Sequence, residues 1–269
     1  MTNIVITGCS TGIGLESAKY LKERMIKVYP TARKLEDVQK LKALGFADAM
    51  LLDVTKPETI KATIDFVLAK DGKIDVWFNN AGYGQIGAIE DITTPLLREQ
   101  FETNVFGLHE ATLQVLKVMR KQGYGKIIQH SSILGLISMP FRGVYNASKY
   151  AIEGLSDTLR LDLHNSNIFI SLLNTGPVES DFRKNAIKSL DNLNINTSAN
   201  RQIYLKAKKG QMKKVPFSLK ADSVASVVHK IILDDKPKPR YYITKASYIL
   251  AFLKRVLPTS VLDKVLMKI

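Results

Sequence analysis

The residues best suited to chemistry are Tyr145 and Lys149, which lie four positions apart. On a helix, this spacing places both side chains on one face, one turn from each other. A phenol has an ordinary pKa of about 10, but a neighbouring ammonium favours the phenolate. The pair therefore predicts an acid–base centre in which Tyr145 moves a proton. Ser132 could stabilise charge on a substrate oxygen, or it could simply cap a turn.

A glycine-rich segment, Thr7 to Gly14, follows the first apolar run of the chain. Glycines let the backbone turn tightly and approach a pyrophosphate, whose charge lies at the N-terminus of the next helix. No Gly-Lys-Ser/Thr ends the segment, which excludes a nucleoside-triphosphate loop of that type. We predict a dinucleotide site here rather than an ordinary strand-to-helix turn. Its cofactor-binding residues are expected to be Gly8, Ser10, Thr11, Gly12, Ile13 and Gly14.

The second apolar run ends in Thr31, Ala32, Arg33 and Lys34. Proteins that bind NAD usually carry an Asp or Glu at this point, which binds the ribose 2′-hydroxyl. Here the acid is absent, and the two cations suit a 2′-phosphate. The sequence therefore favours NADP over NAD, with Arg33 as a cofactor ligand. The alternative is a solvated basic turn, which would have the same residues.

Short apolar runs alternate with helical patterns along the chain, which indicates an α/β fold. Runs that are apolar throughout predict strands buried on both faces of a parallel sheet. We expect a Rossmann-type, doubly wound parallel sheet of about seven strands. The predicted strands are Ile4–Thr7, Val28–Thr31, Ala49–Leu52, Val76–Asn79, Ile127–His130, Ile168–Leu173 and Tyr241–Thr244. Helices are expected to begin near Gly12, Leu35, Pro57, Pro95, Tyr145 and Ala221.

The chain of 269 residues is expected to form one domain. Residues 1–176 would form the cofactor-binding and catalytic core, and 177–216 a helical substrate lid, because periodicity is weakest there. Residues 217–269 would supply the last helix, the last strand and a basic helical tail. The lid's apolar residues could wall a pocket or be the packing face of two short helices: Ile187, Leu190, Leu193, Ile195, Ile203, Tyr204 and Leu205.

Several motifs together resemble the short-chain dehydrogenases/reductases. They are the Thr7–Gly14 segment, Asn79-Asn80-Ala81-Gly82, and Tyr145-x-x-x-Lys149 with Ser132 thirteen residues before the tyrosine. Gly176-Pro177-Val178 is similar to the family's Pro-Gly motif, although Thr175 replaces the preceding Pro. This variant looks like that of the 17β-hydroxysteroid and retinol dehydrogenase relatives, and it implies a lipophilic carbonyl or alcohol substrate.

The resemblance also assigns roles to further residues. It implies that Asn104 completes a catalytic tetrad with Ser132, Tyr145 and Lys149, holding a water that links the lysine to solvent. It implies that Asp53 contacts the adenine ring. It further implies cofactor contacts from Asn80, Ala81, Gly82, Tyr145, Lys149, Pro177, Val178 and Ser180. Family members are commonly dimers or tetramers, so a homodimer or homotetramer is expected.

The bulk composition narrows the class of protein. A single cysteine excludes an intramolecular disulfide framework, and the chain shows neither a signal-peptide pattern nor an apolar run of spanning length. We therefore expect a cytoplasmic protein. The four histidines lack metal-ligand spacing, so no metal is predicted.

The net charge of +14 is concentrated in one part of the chain. Residues 181–269 carry 19 Lys and Arg against 6 Asp and Glu, whereas residues 1–180 carry 20 against 19. The basic part carries no reader motif for nucleic acid, so we expect no nucleic-acid partner. Two amphipathic patterns, 249–256 and 261–269, carry lysines and arginines and are separated by Pro258. They predict peripheral contact with an anionic membrane surface or, alternatively, helices that cap the domain or form a dimer contact.

Taken together, these features predict an NADP(H)-dependent oxidoreductase that transfers a hydride between nicotinamide and a carbonyl or alcohol, with Tyr145 as acid or base. The alternative is a catalytically silent NADP-binding regulatory protein with the same fold. Such a protein would usually have lost the Tyr or the Lys, and this chain retains both.

Overall fold

The strands form where short apolar runs are buried on both faces, and amphipathic helices cover the sheet they build. The structure, a computed structural model, describes residues 1–210 and 218–268. Its strands are β1 Asn3–Ile6, β2 Lys27–Ala32, β3 Met50–Leu51, β4 Val76–Asn79, β5 Tyr124–Ser132, β6 Asn167–Thr175, β7 Val178–Glu179, β8 Leu219–Lys220 and β9 Arg240–Tyr242. Its helices are α1 Gly12–Lys22, α2 Leu35–Ala43, α3 Pro57–Asp71, α4 Thr94–Phe101, α5 Leu108–Gln122, α6 Gly143–Asp162, α7 Asp181–Lys188, α8 Arg201–Lys208, α9 Asp222–Leu233, α10 Lys245–Val256 and α11 Thr259–Leu266.

Seven of the described strands form one parallel sheet in the order β3-β2-β1-β4-β5-β6-β9. This confirms the predicted Rossmann-type fold and its strand number. The strand order reverses between β1 and β4, which pair in parallel with Ile6 beside Phe78. In such sheets, the crevice at the carboxyl ends of the strands on either side of the reversal is where ligands bind. The segments after β1 and β4 therefore border the expected site.

Alternate residues of the central strands supply the two halves of the core. Ile4 and Ile6 of β1 are fully buried on one face of the sheet, where they pack against α1 and α9. Val5 and Trp77 point to the other face, where α3 and α5 cover them. This three-layer packing removes the central strands from water and fixes the positions of the residues that follow them.

The helix before β5 differs from the prediction. The sequence predicted one helix beginning near Pro95 and no further helix start before Tyr145. The structure instead has two helices here, α4 and α5, joined by a π-helical turn, Glu102–Gly107. A π-turn holds an extra residue and interrupts the 3.6-residue period on which the prediction depended. The predicted starts at Pro95, Tyr145 and Ala221 lie within two residues of the observed ones, Thr94, Gly143 and Asp222.

The predicted lid contains α7 and α8, while its residues 211–216 lie outside the described part of the chain. Three of its apolar side chains, Leu190, Leu193 and Tyr204, are buried in a small cluster with Ile86. These three are therefore packing residues rather than free pocket walls. A short parallel pairing of β7 with β8, which the sequence analysis did not predict, joins the two ends of the lid.

The tail forms α10 and α11, as its amphipathic patterns predicted. Leu250 and Leu262 pack against Ile133 and Ile137, which lie directly after β5. The opposite side of α10 exposes four apolar residues, here called the α10 face: Tyr248, Ile249, Phe252 and Val256, 60%, 59%, 63% and 53% exposed. Among the residues described, no helix is both long and apolar enough to cross a membrane. Ile269, the last residue of the predicted pattern, is outside the described residues.

Candidate active site

The glycine-rich segment forms a tight cradle between β1 and α1. Gly8 and Gly12 have φ angles of +72° and +62°, a backbone conformation that residues with a side chain rarely adopt. A Cβ atom on Gly14 would lie 2.4 Å from the Gly8 carbonyl oxygen. The Asn80 amide donates to the carbonyl oxygens of Thr7 and Gly8, at 2.8 and 3.0 Å. The segment after β4 thus holds the segment after β1 in place.

A pyrophosphate fits this cradle. Outside its own turn, a Cβ built on Gly12 would meet just one heavy atom of the described residues within 4 Å, Ser180 Cβ at 3.4 Å. Thr11 precedes α1 without a capping hydrogen bond from its side chain, and the first turn holds no acid. The N–H groups of that turn are therefore available to an anion. Ser10 and Thr11 are exposed at the mouth of the cradle, whereas the side chain of Ile13 packs on the core.

The cations predicted to select the cofactor lie at the end of β2. Arg33 and Lys34 are both exposed, and Lys34 lies 3.5 Å from Glu36. Arg33 makes no hydrogen bond or ion pair with the described residues. Asp53, predicted to contact the adenine, accepts hydrogen bonds from the backbone N–H and the hydroxyl of Thr55, at 3.0 and 2.8 Å. In the structure, its carboxylate therefore closes a local turn.

The predicted acid–base pair lies in the first two turns of α6. Burial raises the pKa of Tyr145 to about 12, while a hydrogen bond with Ser132 and the cation of Arg142 act in the opposite direction. The Lys149 ammonium lies 5.6 Å from the centre of the Tyr145 ring. Burial lowers the pKa of Lys149 to about 8, against the charge of Glu153, which raises it. The buried phenol of Tyr145 therefore lies near the Lys149 ammonium, which loses its proton only above neutral pH.

Ser132 caps a turn, which is one of the two roles considered for it. Its hydroxyl accepts a hydrogen bond from the Leu134 N–H at 3.1 Å and so caps the turn after β5. It also donates to the Thr175 carbonyl oxygen at 3.3 Å, at the end of the neighbouring β6. Ser132 thus lies at the carboxyl edge of the sheet, within hydrogen-bonding reach of Tyr145.

Asn104 lies in the π-turn and is buried. Its amide oxygen accepts from the Tyr83 N–H at 3.1 Å, and its amide nitrogen donates to the Tyr83 carbonyl oxygen at 2.9 Å. The same nitrogen donates to Ser148, the neighbour of Lys149, at 3.2 Å. Asn104 thus ties α6 to the segment after β4, and both of its polar atoms already have protein partners.

The residues after β6 close the site from the other side. Val178 packs against the core and Pro177 precedes it, while Ser180 accepts a hydrogen bond from the Phe182 N–H at 3.4 Å and begins α7. The Phe182 ring lies 5.4 Å from the Tyr145 ring, centre to centre. A Cβ on Gly84 would lie 2.9 Å from the tip of the Phe182 ring, so the ring packs closely against this glycine.

Sequence reasoning missed two polar residues behind the site. The carbonyl oxygen of His130 accepts a hydrogen bond from Lys149 at 2.5 Å, and its ring lies 3.0 Å from the Asn80 amide oxygen. Glu153 is buried one turn after Lys149 and receives two hydrogen bonds from Arg240, at 3.0 and 2.9 Å. The sequence signal for both was their spacing: His130 is two residues before Ser132, and Glu153 is four after Lys149.

Comparisons with known proteins agree with this geometry. Residues 2–191 match the family model described as short chain dehydrogenase. The Escherichia coli (strain K12) protein described as uncharacterized oxidoreductase YbbO is 38% identical over 265 residues, which cover 98% of this chain and 93% of that protein. Human 17-beta-hydroxysteroid dehydrogenase type 1 is 31% identical over 259 residues, covering 91% of this chain and 78% of that one.

A solved structure adds a ligand-bound neighbour. The short-chain dehydrogenase/reductase from Burkholderia phymatum, in complex with NAD, is 26% identical and superimposes with a TM-score of 0.77, covering 94% of this chain and 92% of that one. The match of the family model over most of the chain and the parallel sheet with its glycine cradle point to one conclusion. The chain is an oxidoreductase of the short-chain dehydrogenase family, as its motifs indicated.

Proposed function

We propose that the protein is an NADP(H)-dependent oxidoreductase that interconverts a carbonyl and an alcohol, with Tyr145 as the acid or base. The observation that carries this proposal is the position of Tyr145, Lys149 and Ser132 at the carboxyl edge of the sheet, beside the glycine cradle. In this proposal the cradle residues predicted from the sequence bind the dinucleotide, and Asn104 positions the segment facing α6.

The bound cofactor would supply or accept a hydride, which carries both electrons of the reaction. In the reducing direction, the Tyr145 hydroxyl gives its proton to the carbonyl oxygen as negative charge develops there. Ser132 donates a hydrogen bond to the same oxygen and stabilises that charge. The Lys149 ammonium favours the phenolate left on Tyr145. In the oxidising direction, the phenolate removes the hydroxyl proton of the alcohol.

The preference for NADP over NAD is assigned to Arg33, with Lys34 adding charge, since Arg33 has no protein partner among the described residues. Fluorescence titration of NADPH and NADH tests this assignment. We expect tighter binding of NADPH and loss of the preference in Arg33→Ala, because the guanidinium would pair with the 2′-phosphate. Arg120→Ala, which removes an exposed arginine from α5, is the matched control. Equal affinity of the wild type for both nucleotides would overturn the assignment.

Catalysis itself is tested with Tyr145→Phe, which keeps the ring against Phe182 but removes the hydroxyl. We expect NADPH-dependent reduction to fall by roughly 10² to 10⁴, the usual contribution of a positioned acid, with NADPH binding retained. Tyr150→Phe alters a half-exposed tyrosine one turn along the same helix and serves as the control. A wild type that binds NADPH but reduces none of a broad set of aldehydes and ketones would favour the silent regulatory protein instead.

The substrate is proposed to be lipophilic, such as a steroid, a retinoid or a lipid-like ketone or aldehyde. Support comes from the Phe182 ring beside Tyr145 and from the similarity to a hydroxysteroid dehydrogenase. Reduction of carbonyl compounds of increasing chain length with NADPH tests this. We expect kcat/KM to rise with apolar size, and a preference for small hydrophilic ketones would contradict the proposal.

We further propose that the α10 face contacts an anionic membrane surface, because its apolar residues lie beside Lys245 and Arg255. Co-sedimentation with anionic and neutral vesicles tests this. We expect binding to anionic vesicles that falls in Phe252→Ser but not in Leu161→Ser, which removes a side chain of similar exposure from α6. Equal partition into both vesicle types, or none, would count against it. A homodimer or homotetramer, expected from the family, is tested separately by light scattering.

A further inference from the structure

We propose that Arg142 binds an anionic group of the substrate, a carboxylate or a phosphate monoester, while the substrate carbonyl lies at Tyr145. This inference rests on the proposed function and narrows its substrate class. The substrate would be an amphiphile with one reactive carbonyl and one anionic end.

The backbone fixes the point from which the Arg142 side chain extends. Arg142 directly precedes α6, three residues before Tyr145. Its N–H donates to the Met139 carbonyl oxygen at 3.3 Å, and its carbonyl oxygen accepts from the Asn146 N–H at 2.8 Å. It also forms a parallel bridge with Gly87 of the segment after β4. The backbone position from which the guanidinium extends, three residues before Tyr145, is therefore held by contacts on both sides.

Among the described residues, the Arg142 guanidinium has no partner of opposite charge. Arg142 is half-buried, yet it makes no side-chain hydrogen bond or ion pair with the residues that the structure describes. Burial lowers its pKa, and the nearby cation of Arg183 lowers it further. Removing a charge from water without a partner is unfavourable, and a second cation increases the penalty. An unfavourable charge that persists in a catalytic cleft is a sign of ligand recognition.

A second half-buried arginine, Arg240, shows how this chain satisfies such a cation from within. Arg240 donates two hydrogen bonds to Glu153 and one more to Asp157, at 2.5 Å. The protein thus supplies two carboxylates to Arg240 and, among the described residues, none to Arg142. The contrast indicates that the anion for Arg142 comes from outside the chain.

The surroundings of Arg142 place that anion on the substrate side. Arg142 lies close enough to lower the pKa of Tyr145 in α6, and Arg183 of α7 lies close enough to lower that of Arg142. The two helices meet where Phe182 lies against Tyr145. A guanidinium matches the planar geometry of a carboxylate and also binds phosphate through paired hydrogen bonds. A substrate that spans from Ser132 to Arg142 would therefore have an apolar middle beside Phe182 and an anionic end near α7.

The test measures NADPH-dependent reduction of ω-oxo carboxylic acids of four to ten carbons and of their methyl esters. A matched aldehyde phosphate monoester distinguishes the two kinds of anion. The quantity measured is the ratio of kcat/KM for each acid to that for its ester. We expect a wild-type ratio of roughly ten or more at one preferred chain length, the effect of a charge-assisted hydrogen bond. The ratio should fall to about one in Arg142→Gln and be partly retained in Arg142→Lys.

The outcomes separate this inference from the proposed function. Reduction of the esters alone, with a ratio near one in the wild type, would support the oxidoreductase and overturn the anion site. A ratio that survives in Arg142→Gln would also overturn it. An equal fall in kcat/KM for acid and ester, together with a shifted pH profile, would also overturn it. Arg142 would then act on the pKa of Tyr145 rather than on the substrate. Weaker NADPH binding in Arg142→Gln with an unchanged acid-to-ester ratio would mean that Arg142 binds an anionic group of the cofactor, not of the substrate. Arg201→Gln, an exposed lid arginine, is the control and should leave the ratio unchanged.

Discussion

His130 should make the folded protein sensitive to acid. Both of its ring nitrogens face polar groups, the Asn80 amide oxygen at 3.0 Å and the Thr175 hydroxyl at 3.3 Å. Burial lowers its pKa from about 6.5 to about 3, and the nearby Lys149 cation acts in the same direction. The ring therefore stays neutral in the folded protein at a pH where the unfolded chain binds a proton.

The size of the effect follows from the difference between the two pKa values. As the pH falls from 6.5 to 4.5, the unfolded state gains a proton at this residue and the folded state does not. Each pH unit over that interval then lowers the free energy of unfolding by about 1.4 kcal/mol, or about 2–3 kcal/mol in total. Above pH 6.5 both states are neutral at His130 and the contribution vanishes. Below pH 3 both are charged and the loss no longer grows.

Urea unfolding of the wild type and of His130→Gln between pH 7.5 and pH 4.5 measures this difference. Carboxylates contribute equally to both proteins, so the wild type should lose about 2–3 kcal/mol more than the variant over this range. His109→Gln removes an exposed histidine and should follow the wild type. Parallel curves for the wild type and His130→Gln would refute the reasoning, because they would mean that His130 takes up its proton without unfolding.

Three further predictions concern residues around the site. Gly14→Ala should weaken NADPH binding at least tenfold in a titration, because its Cβ would collide with the Gly8 carbonyl oxygen; unchanged affinity would show that the cradle can widen. Glu153→Gln should move the alkaline limb of the pH profile for reduction to lower pH, because the Glu153 charge raises the pKa of Lys149; a fixed limb with lower stability would leave Glu153 a structural role only. Tyr204→Phe should destabilise the lid by about 1 kcal/mol in thermal unfolding, because it leaves the partly buried Ala88 N–H without its acceptor; an unchanged Tm would contradict this.

Local spacing predicted the parts of the site that lie within one element. Tyr145 and Lys149 share the first turns of one helix, and the glycine cradle is one continuous turn, so their arrangement follows from helix and turn geometry alone. The central strands were predicted for a similar reason, because burial on both faces leaves an uninterrupted apolar run. The fold class and the grouping of the candidate catalytic residues were therefore accessible from the sequence.

Contacts between distant segments were not accessible in this way. The ion pair of Glu153 with Arg240 joins residues 87 positions apart, and the contact of His130 with Asn80 spans 50. No periodicity encodes such pairs, because they depend on which strands become neighbours in the sheet. The lack of a carboxylate partner for Arg142 among the described residues was hidden for the same reason, since it is a property of the packed structure.

The π-turn at Glu102–Gly107 gives the chain a simple route to losing its activity. One extra residue in this turn rotates α5 relative to α4 by about 100°, the angle that each residue occupies on a helix. A deletion of one codon there would restore a regular helix, which is the more favourable backbone, and would carry Asn104 away from Tyr83. The glycine cradle lies between β1 and α1 and would be left intact. A descendant of this enzyme could thus become a nucleotide-binding scaffold in one mutational step, with its Tyr145 and Lys149 still in place.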